Sequence, residues 1–181
     1  MSTILPKKLN AINIEIPLDI SFNGDDAVTL ITRASANSGN WIALPIKEEI
    51  GSPETIYTRR LSEYCLLNKI HNVIGFSPRF PNKNGIMNVE PSAENFSKIE
   101  SNFALRAYTI VPVPGIFQVL SDGDYYTIFI GTQEFLSFVL GCTLEEGMKN
   151  FKSYIKKYKV GSLEQIHLLK VIKACDLFNT A

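Results

Sequence analysis

The sequence is poor in the residues that build metal centres and activated nucleophiles. It has two histidines, three cysteines and one tryptophan. His71 and His167 stand far apart, and neither has a second histidine or a cysteine at ligand spacing, so no metal site is expected. Cys65, Cys142 and Cys175 are equally scattered, each beside apolar residues. An odd, sparse set of this kind reads as buried free thiols in a reducing compartment and not as a disulfide framework. None has a histidine or a cluster of cations next to it, which argues against a catalytic thiolate. The sequence also lacks Gly-x-Ser-x-Gly, a Walker loop and Gly-x-Gly-x-x-Gly. No cofactor is implied. Catalytic groups can still converge from distant positions, so a small enzyme with a dispersed site around His71, Arg59 and Arg60 stays among the expectations.

An excess of one charge is missing too. Eighteen Lys and Arg balance eighteen Asp and Glu, and no strongly basic field announces a nucleic-acid protein. No apolar run is long enough to span a bilayer. Met1 to Lys8 lacks the order of a signal peptide, because its charges follow a very short apolar run. The expected location is cytoplasmic, with no membrane contact. Low-complexity tracts, internal repeats and linkers are absent, so a single domain over residues 1–181 is the default at this length.

What is present is a legible series of elements. The strand-rich block, residues 9–46, opens with Ile12, Ile14, Ile16, Leu18, Ile20 and Phe22 alternating with polar or small residues. This is the period of a half-buried strand. Pro17 places it at an edge or a bulge. Turns at 23–26 and 37–40 then separate a second strand, Ala27 to Ser35, and a third, Trp41 to Ile46, giving an antiparallel meander. Ser52, Pro53 and Glu54 predict an N-cap, a proline at the first helical position and an acid on the positive end, opening a helix over 53–71. Residues 72–91 read as one long loop, because prolines, glycines and asparagines crowd it. Ser92 caps a helix over 92–103 with Phe96, Ile99 and Phe103 on one face. A hairpin region follows over 104–130, with its Asp-Gly turn at 121–124. Asp122 and Asp124 lie in that turn without the ligand loop of a calcium site.

The C-terminal third, 132–178, reads as three helices. Thr143 with Glu146, and Ser162 with Gln165, are capping boxes. The first of these opens a helix with Leu144, Met148, Phe151, Ile155 and Tyr158 along one stripe. The second opens a helix so apolar that Leu163, Ile166, Leu168, Leu169, Val171, Ile172, Cys175 and Leu177 cover most of its circumference. Such a helix is expected to be buried in the domain or in a partner, with Leu169 in the core. The fold class that follows is α+β: two antiparallel strand groups, a meander and a hairpin, packed on helices.

Two surfaces stand out as candidate binding regions. Lys149, Lys152 and Lys156, with Lys157 beside them, form a basic stripe suited to phosphates. The long loop carries Phe76, Arg79, Phe80 and Lys83, a mix of rings and cations that can stack on a base or grip an acidic peptide. The leading functional expectation is a non-enzymatic cytosolic binding or regulatory protein of the adaptor, inhibitor or immunity type, acting on a protein partner or as a homo-oligomer. The alternatives are a nucleic-acid-binding protein using the lysine stripe, and the small enzyme named above. A flat apolar patch would favour the first, a continuous positive groove the second, and a pocket holding His71 the third.

Overall fold

The structure, a computed structural model, describes residues 40–47, 53–77, 85–103, 106–113, 115–123 and 125–180. The strands expected at 12–22 and 27–35 lie outside the described residues, as do Arg79, Phe80 and Lys83. The described chain runs β1 (Ile42–Ile46), α1 (Ile56–Leu67), β2 (Asn72–Phe76), β3 (Ile86–Val89), α2 (Ala93–Phe103), β4 (Tyr108–Val113), β5 (Phe117–Ser121), β6 (Thr127–Gly131), α3 (Gln133–Leu140), α4 (Leu144–Ile155) and α5 (Leu163–Thr180). The six strands form one antiparallel sheet in the order β1-β6-β5-β4-β2-β3. The α+β class holds, and β1 and the later hairpin share one sheet.

One face of that sheet carries the helices. The register places Leu44 beside Phe129, Phe129 beside Val119, and Val119 beside Ile110, which pairs with Gly75. These residues share a face because side chains alternate along each strand. Glycines let the helices approach it. A Cβ at Gly75 would strike Ile99 of α2 at 2.7 Å, and one at Gly131 would strike Phe135 of α3 at 2.5 Å. Phe135 stacks on Phe117 with ring centroids 4.5 Å apart, and Tyr64 of α1 meets Phe135 edge-on at 5.0 Å. The main core joins α1 to α5 to this face. On the opposite face Ile74 and Phe76 form a small second cluster with Ile86, Val111 and Val113.

The end of α5 closes the outer edge of β1. The Ala43 N–H donates to Asn179 Oδ1 at 2.7 Å, and Asn179 Nδ2 donates to the Ala43 carbonyl at 3.1 Å. Among the described residues β1 is the outermost strand on that side, and this side-chain amide takes up backbone groups of Ala43 that a neighbouring strand could pair with.

Several local expectations change. Residues 72–91 are not one loop: β2 and β3 pair from Val73–Val89 to Phe76–Ile86. The turn-forming residues concentrate inside 78–85, while the flanks are apolar and β-branched. Gly75 reads as a breaker in sequence, but here it admits Ile99. Helix α1 begins three residues later than its proline signal implies. Its N-cap is Thr55, whose Oγ1 accepts from the Thr58 amide at 3.4 Å. It ends at Leu67, and Lys69 adopts φ 55° to turn the chain into β2. The Thr143–Glu146 capping box forms in full. The second forms only in part: Ser162 Oγ accepts from the Gln165 amide, but the Gln165 side chain accepts from Gly161 N–H at 2.9 Å, one residue further back. Leu169 is half-exposed and not core. The buried side of α5 is instead Leu168, Val171, Ile172, Ala174, Cys175 and Phe178.

Candidate functional site

Three regions combine exposed or half-exposed chemistry with a defined geometry. The first is a cleft of about 350 Å³ where the end of β1 meets α1, the α3–α4 junction and α4. Gly147 makes the cleft possible by letting α4 approach β1. A Cβ there would meet Leu44 at 2.6 Å. The floor and walls are Pro45, Ile46, Leu140 and Phe151, with Tyr57 and Tyr154 as half-buried rings. Asn150 and Ser153 supply polar groups, and Lys47 and Lys157 supply two cations. Among the described residues no carboxylate lines it. Cys142 reaches it as a protonated thiol, because partial burial and then the Glu146 carboxylate raise its pKa. A thiol held neutral is a weak nucleophile, so the cleft has the makings of a binding site and not of a thiolate enzyme.

The second region is an aromatic cluster on the other side of Tyr154. Tyr154 and Tyr158 share a hydroxyl–hydroxyl hydrogen bond of 2.6 Å, and Tyr154 also donates to the Tyr125 carbonyl at 3.4 Å. Burial, then the bond to Tyr158, push the Tyr154 hydroxyl well above the usual tyrosine range. His167 lies over Tyr126, ring centroids 5.6 Å apart, with its Nε2 3.9 Å from Asp122 Oδ2. Asp122 Oδ1 accepts from the Tyr125 and Tyr126 amides at 2.8 and 3.0 Å, so that carboxylate holds the β5–β6 turn. This cluster fastens α4 and α5 to the hairpin.

The third is the outward side of α5. Leu163 is 84%, Ile166 44%, Leu169 50% and Leu177 60% exposed, and Val160 just before the helix is 87% exposed. Large apolar side chains left in water on one helix mark a contact surface more than a core.

The residues singled out in the sequence separate. Lys149, Lys152 and Lys156 are exposed along α4 and its C-cap, at helical spacing. Lys157 leaves the stripe and lines the cleft. Phe76 is 7% exposed in β2 and serves the small cluster of the sheet's second face, so its ring is committed to packing. His71 is exposed and stands outside the cleft lining. The Arg59 side chain donates to the Pro53 carbonyl at 3.4 Å, and the Arg60 guanidinium lies across Gly141 at the end of α3. These three do not gather in the cleft. Among the described residues no group of three or more His, Cys, Asp and Glu could hold a metal ion, and no helix is long and apolar enough to cross a membrane. Tyr57, Asn150 and Ser153 escaped the sequence reading because their convergence depends on β1 meeting α4, which no local pattern announces. No family model, curated protein or solved structure matches the chain.

Proposed function

We propose that the protein is a cytoplasmic binding or regulatory protein that acts through a protein contact, and that the outward side of α5 is its contact face. The observation that carries this reading is the exposed strip itself, apolar at both ends. Leu163, Ile166, Lys170, Lys173 and Leu177 follow one another at alternating three- and four-residue spacing, all exposed. This is the seam spacing of two packed helices. Over these residues the seam is about 21 Å long at the ordinary helical rise. The unpaired thiols of Cys65, Cys142 and Cys175 support a reducing compartment.

The seam also favours one kind of occupant. Its ends are apolar and its centre is cationic. A second copy, parallel or antiparallel, would bring Lys170 and Lys173 against their own counterparts, and like charges at facing seam positions are unfavourable. A partner helix with apolar residues at both ends and Glu or Asp between them satisfies all five positions.

The test uses synthetic helical peptides of about three heptads, one with an acidic centre and one with a lysine centre, titrated against the full chain by fluorescence anisotropy. The acidic peptide is expected to bind, more weakly as salt rises, and the lysine peptide to fail. The triple substitution Leu163→Ser, Ile166→Ser, Leu177→Ser should abolish binding with the circular dichroism spectrum intact. Equal binding of both peptides, no binding of either, or binding untouched by the triple substitution overturns the reading. A concentration-dependent dimer lost in the same variant would make a second copy the occupant and overturn the acidic-partner assignment.

The nucleic-acid alternative keeps one supporting observation, the exposure of Lys149, Lys152 and Lys156 along one helix. Titration with random duplex DNA at low salt tests it. Binding that the Lys149→Gln, Lys152→Gln, Lys156→Gln variant weakens, with a flatter salt dependence, would favour it, because each phosphate contact releases a counterion. Absence of binding removes it.

A further inference from the structure

We propose that the turn between α4 and α5 is a docking tip for an anionic lipid surface, with Val160 and Leu163 inserting below the headgroups. The tip lies at the amino end of the contact face on α5 and shares only Leu163 with it. Val160 is 87% and Leu163 84% exposed, more than any other large apolar side chain among the described residues. They do not stand on a loose segment. The Ser162 amide donates to the Lys159 carbonyl at 3.0 Å and closes a tight turn, with Gly161 in third place at φ 79°. A positive φ at that place of a turn calls for glycine. The Gly161 amide donates to Gln165 Oε1 at 2.9 Å, which ties the turn to α5. At its base the Tyr158 and Tyr154 hydroxyls share a hydrogen bond of 2.6 Å, and the Tyr158 ring stands edge-on to Tyr154 and Tyr125. A Cβ at Gly161 would find nothing within 4 Å, so the tip faces open space. A rigid tip needs no ordering when it docks, which favours binding.

Charge selects the occupant. From Lys156 to Leu163 the chain carries Lys156, Lys157 and Lys159 and no carboxylate; Glu164 is the first acid beyond. All three lysines are exposed, and Lys152 stands exposed one turn back on α4. An anionic bilayer surface answers both halves of this composition. Its headgroups attract the ammonium groups, and the acyl boundary beneath them takes the two apolar side chains. Lysine stems are long enough to stay at headgroup level while the tip goes deeper. A nucleic acid would satisfy the lysines and leave Val160 and Leu163 in water. An apolar protein pocket would take the tip and press the lysines against a surface without counter-charge. The expectation of no membrane contact rested on the lack of a spanning run, and a protein that lies on a bilayer needs none. Two apolar side chains give a reversible contact, which the lysines strengthen only where the surface is anionic.

The probes are vesicles of phosphatidylcholine alone and of phosphatidylcholine mixed with phosphatidylserine, incubated with the full chain and pelleted. The chain should pellet with the mixed vesicles, less as salt rises, and stay in solution with phosphatidylcholine alone. Val160→Ser should weaken binding about ten-fold, the scale of an apolar side chain returned to water, and leave binding of the acidic helical peptide to α5 unchanged. Lys156→Gln and Lys159→Gln should each weaken it about five-fold, the scale of one cation near an anionic surface. Lys157 also lines the β1–α4 cleft and is left in place. All three substitutions are at exposed positions, and an unchanged melting temperature shows that each variant still folds. Insertion is read separately from Val160→Trp. Its emission, in excess of the wild-type signal from Trp41, should shift to the blue on mixed vesicles and be quenched by brominated acyl chains. No pelleting at low salt, equal binding to both kinds of vesicle, indifference to Val160→Ser, indifference to both lysine substitutions, or a Val160→Trp emission that neither shifts nor is quenched overturns the proposal.

Discussion

Helices α4 and α5 start alike and end up in different relations to the domain. Each follows a Ser or Thr cap, each has an acid in its first turn, and each packs on the region around β1. In α4 the apolar residues form one stripe, and that stripe is what the fold buries: Met148, Phe151 and Ile155 all lie inside. In α5 the apolar residues go round the helix, and the fold buries only about half of them. Leu168, Val171, Ile172, Cys175 and Phe178 face in, while Leu163, Ile166, Leu169 and Leu177 face out. A stripe therefore states what a helix gives to its own domain. Apolar residues in excess of a stripe state something else, and here they mark the surface available for a partner.

The sharpest way to break that comparison is to truncate two adjacent leucines of α5. Leu168 is fully buried and Leu169 is half-exposed. Leu168→Ala should cost about 2–5 kcal/mol, the range for a buried leucine whose site relaxes only in part. Leu169→Ala should stay within about 0.5 kcal/mol, as surface changes do. Urea denaturation of both variants measures this. Similar losses at the two positions would mean that the outward side of α5 is core after all.

A second test asks whether the inner sides of α1 and α5 are equally dry. Burial alone raises the Cys65 thiol from about 9 to about 12, and burial, then Asp176, push Cys175 up as well. A folded-state pKa raised above the unfolded value favours the fold below the unfolded pKa. That contribution is lost as pH climbs toward the folded one, because the unfolded chain can ionise and the native thiol cannot. Stability should therefore fall between about pH 9 and pH 12, by roughly 1.4 kcal/mol per pH unit for Cys65. Cys65→Ala should flatten that slope. Thiol labelling at mild pH should reach the half-exposed Cys142 before either of the other two, and fast labelling of Cys175 would contradict a buried inner face on α5.

The edge contact of α5 gives a smaller effect. Asn179→Ala removes a donor and an acceptor and leaves the Ala43 N–H and carbonyl without partners, at a cost of about 1–3 kcal/mol. Asn179→Asp should fall between, since a carboxylate accepts from the N–H but cannot donate to the carbonyl. Hydrogen exchange at the Ala43 amide reports the loss directly. Unchanged protection in Asn179→Ala would show that the edge is closed by something other than this side chain.

The sequence carried the fold where local chemistry and tertiary structure agree. The Phe96–Ile99–Phe103 face, the Asp-Gly hairpin and the Thr143 capping box all appear as read. It misled where one residue had a long-range reason. Gly75 broke the reading of β2 because its use is to admit Ile99, an event twenty-four positions away. The cap of helix α1 is Thr55, whose hydroxyl also meets the Thr58 hydroxyl at 2.6 Å, while Ser52, the expected cap, lies outside the described residues. The candidate site was legible only in part. Lys157 was visible as a cation, but its separation from Lys149, Lys152 and Lys156 follows from the helix ending at Ile155. Asn179 sat beyond the last expected apolar position, and nothing local tells an edge-closing amide from a polar residue at a helix end.

The smallest effect sharpens the comparison from the side of α4. The Thr143 hydroxyl accepts from the Glu146 amide at 3.2 Å, and a Glu146 carboxylate oxygen accepts from the Thr143 amide at 2.9 Å. Thr143→Ala should cost about 0.5–2 kcal/mol, the usual price of a lost N-cap. The same box predicts an acid dependence. Hydrogen bonds from the Thr143 amide, then its hydroxyl, hold the Glu146 carboxyl below the ordinary glutamate range. A lowered folded-state pKa favours the fold above the unfolded value and loses that contribution as pH falls through the folded one. Stability from the box is thus complete above about pH 4.5 and fades below it. In helix α5 the position equivalent to Glu146 is Gln165, which does not titrate, but the neighbouring Glu164 carboxyl is held below the ordinary range by its own amide and then by the Ser162 hydroxyl. Glu146→Gln should therefore flatten part of the acid limb of the stability curve and leave the part that Glu164 contributes from α5. An acid limb unchanged in Glu146→Gln would show that the reciprocal bond to the Thr143 amide contributes nothing measurable, leaving the Thr143 hydroxyl as the sole cap of α4.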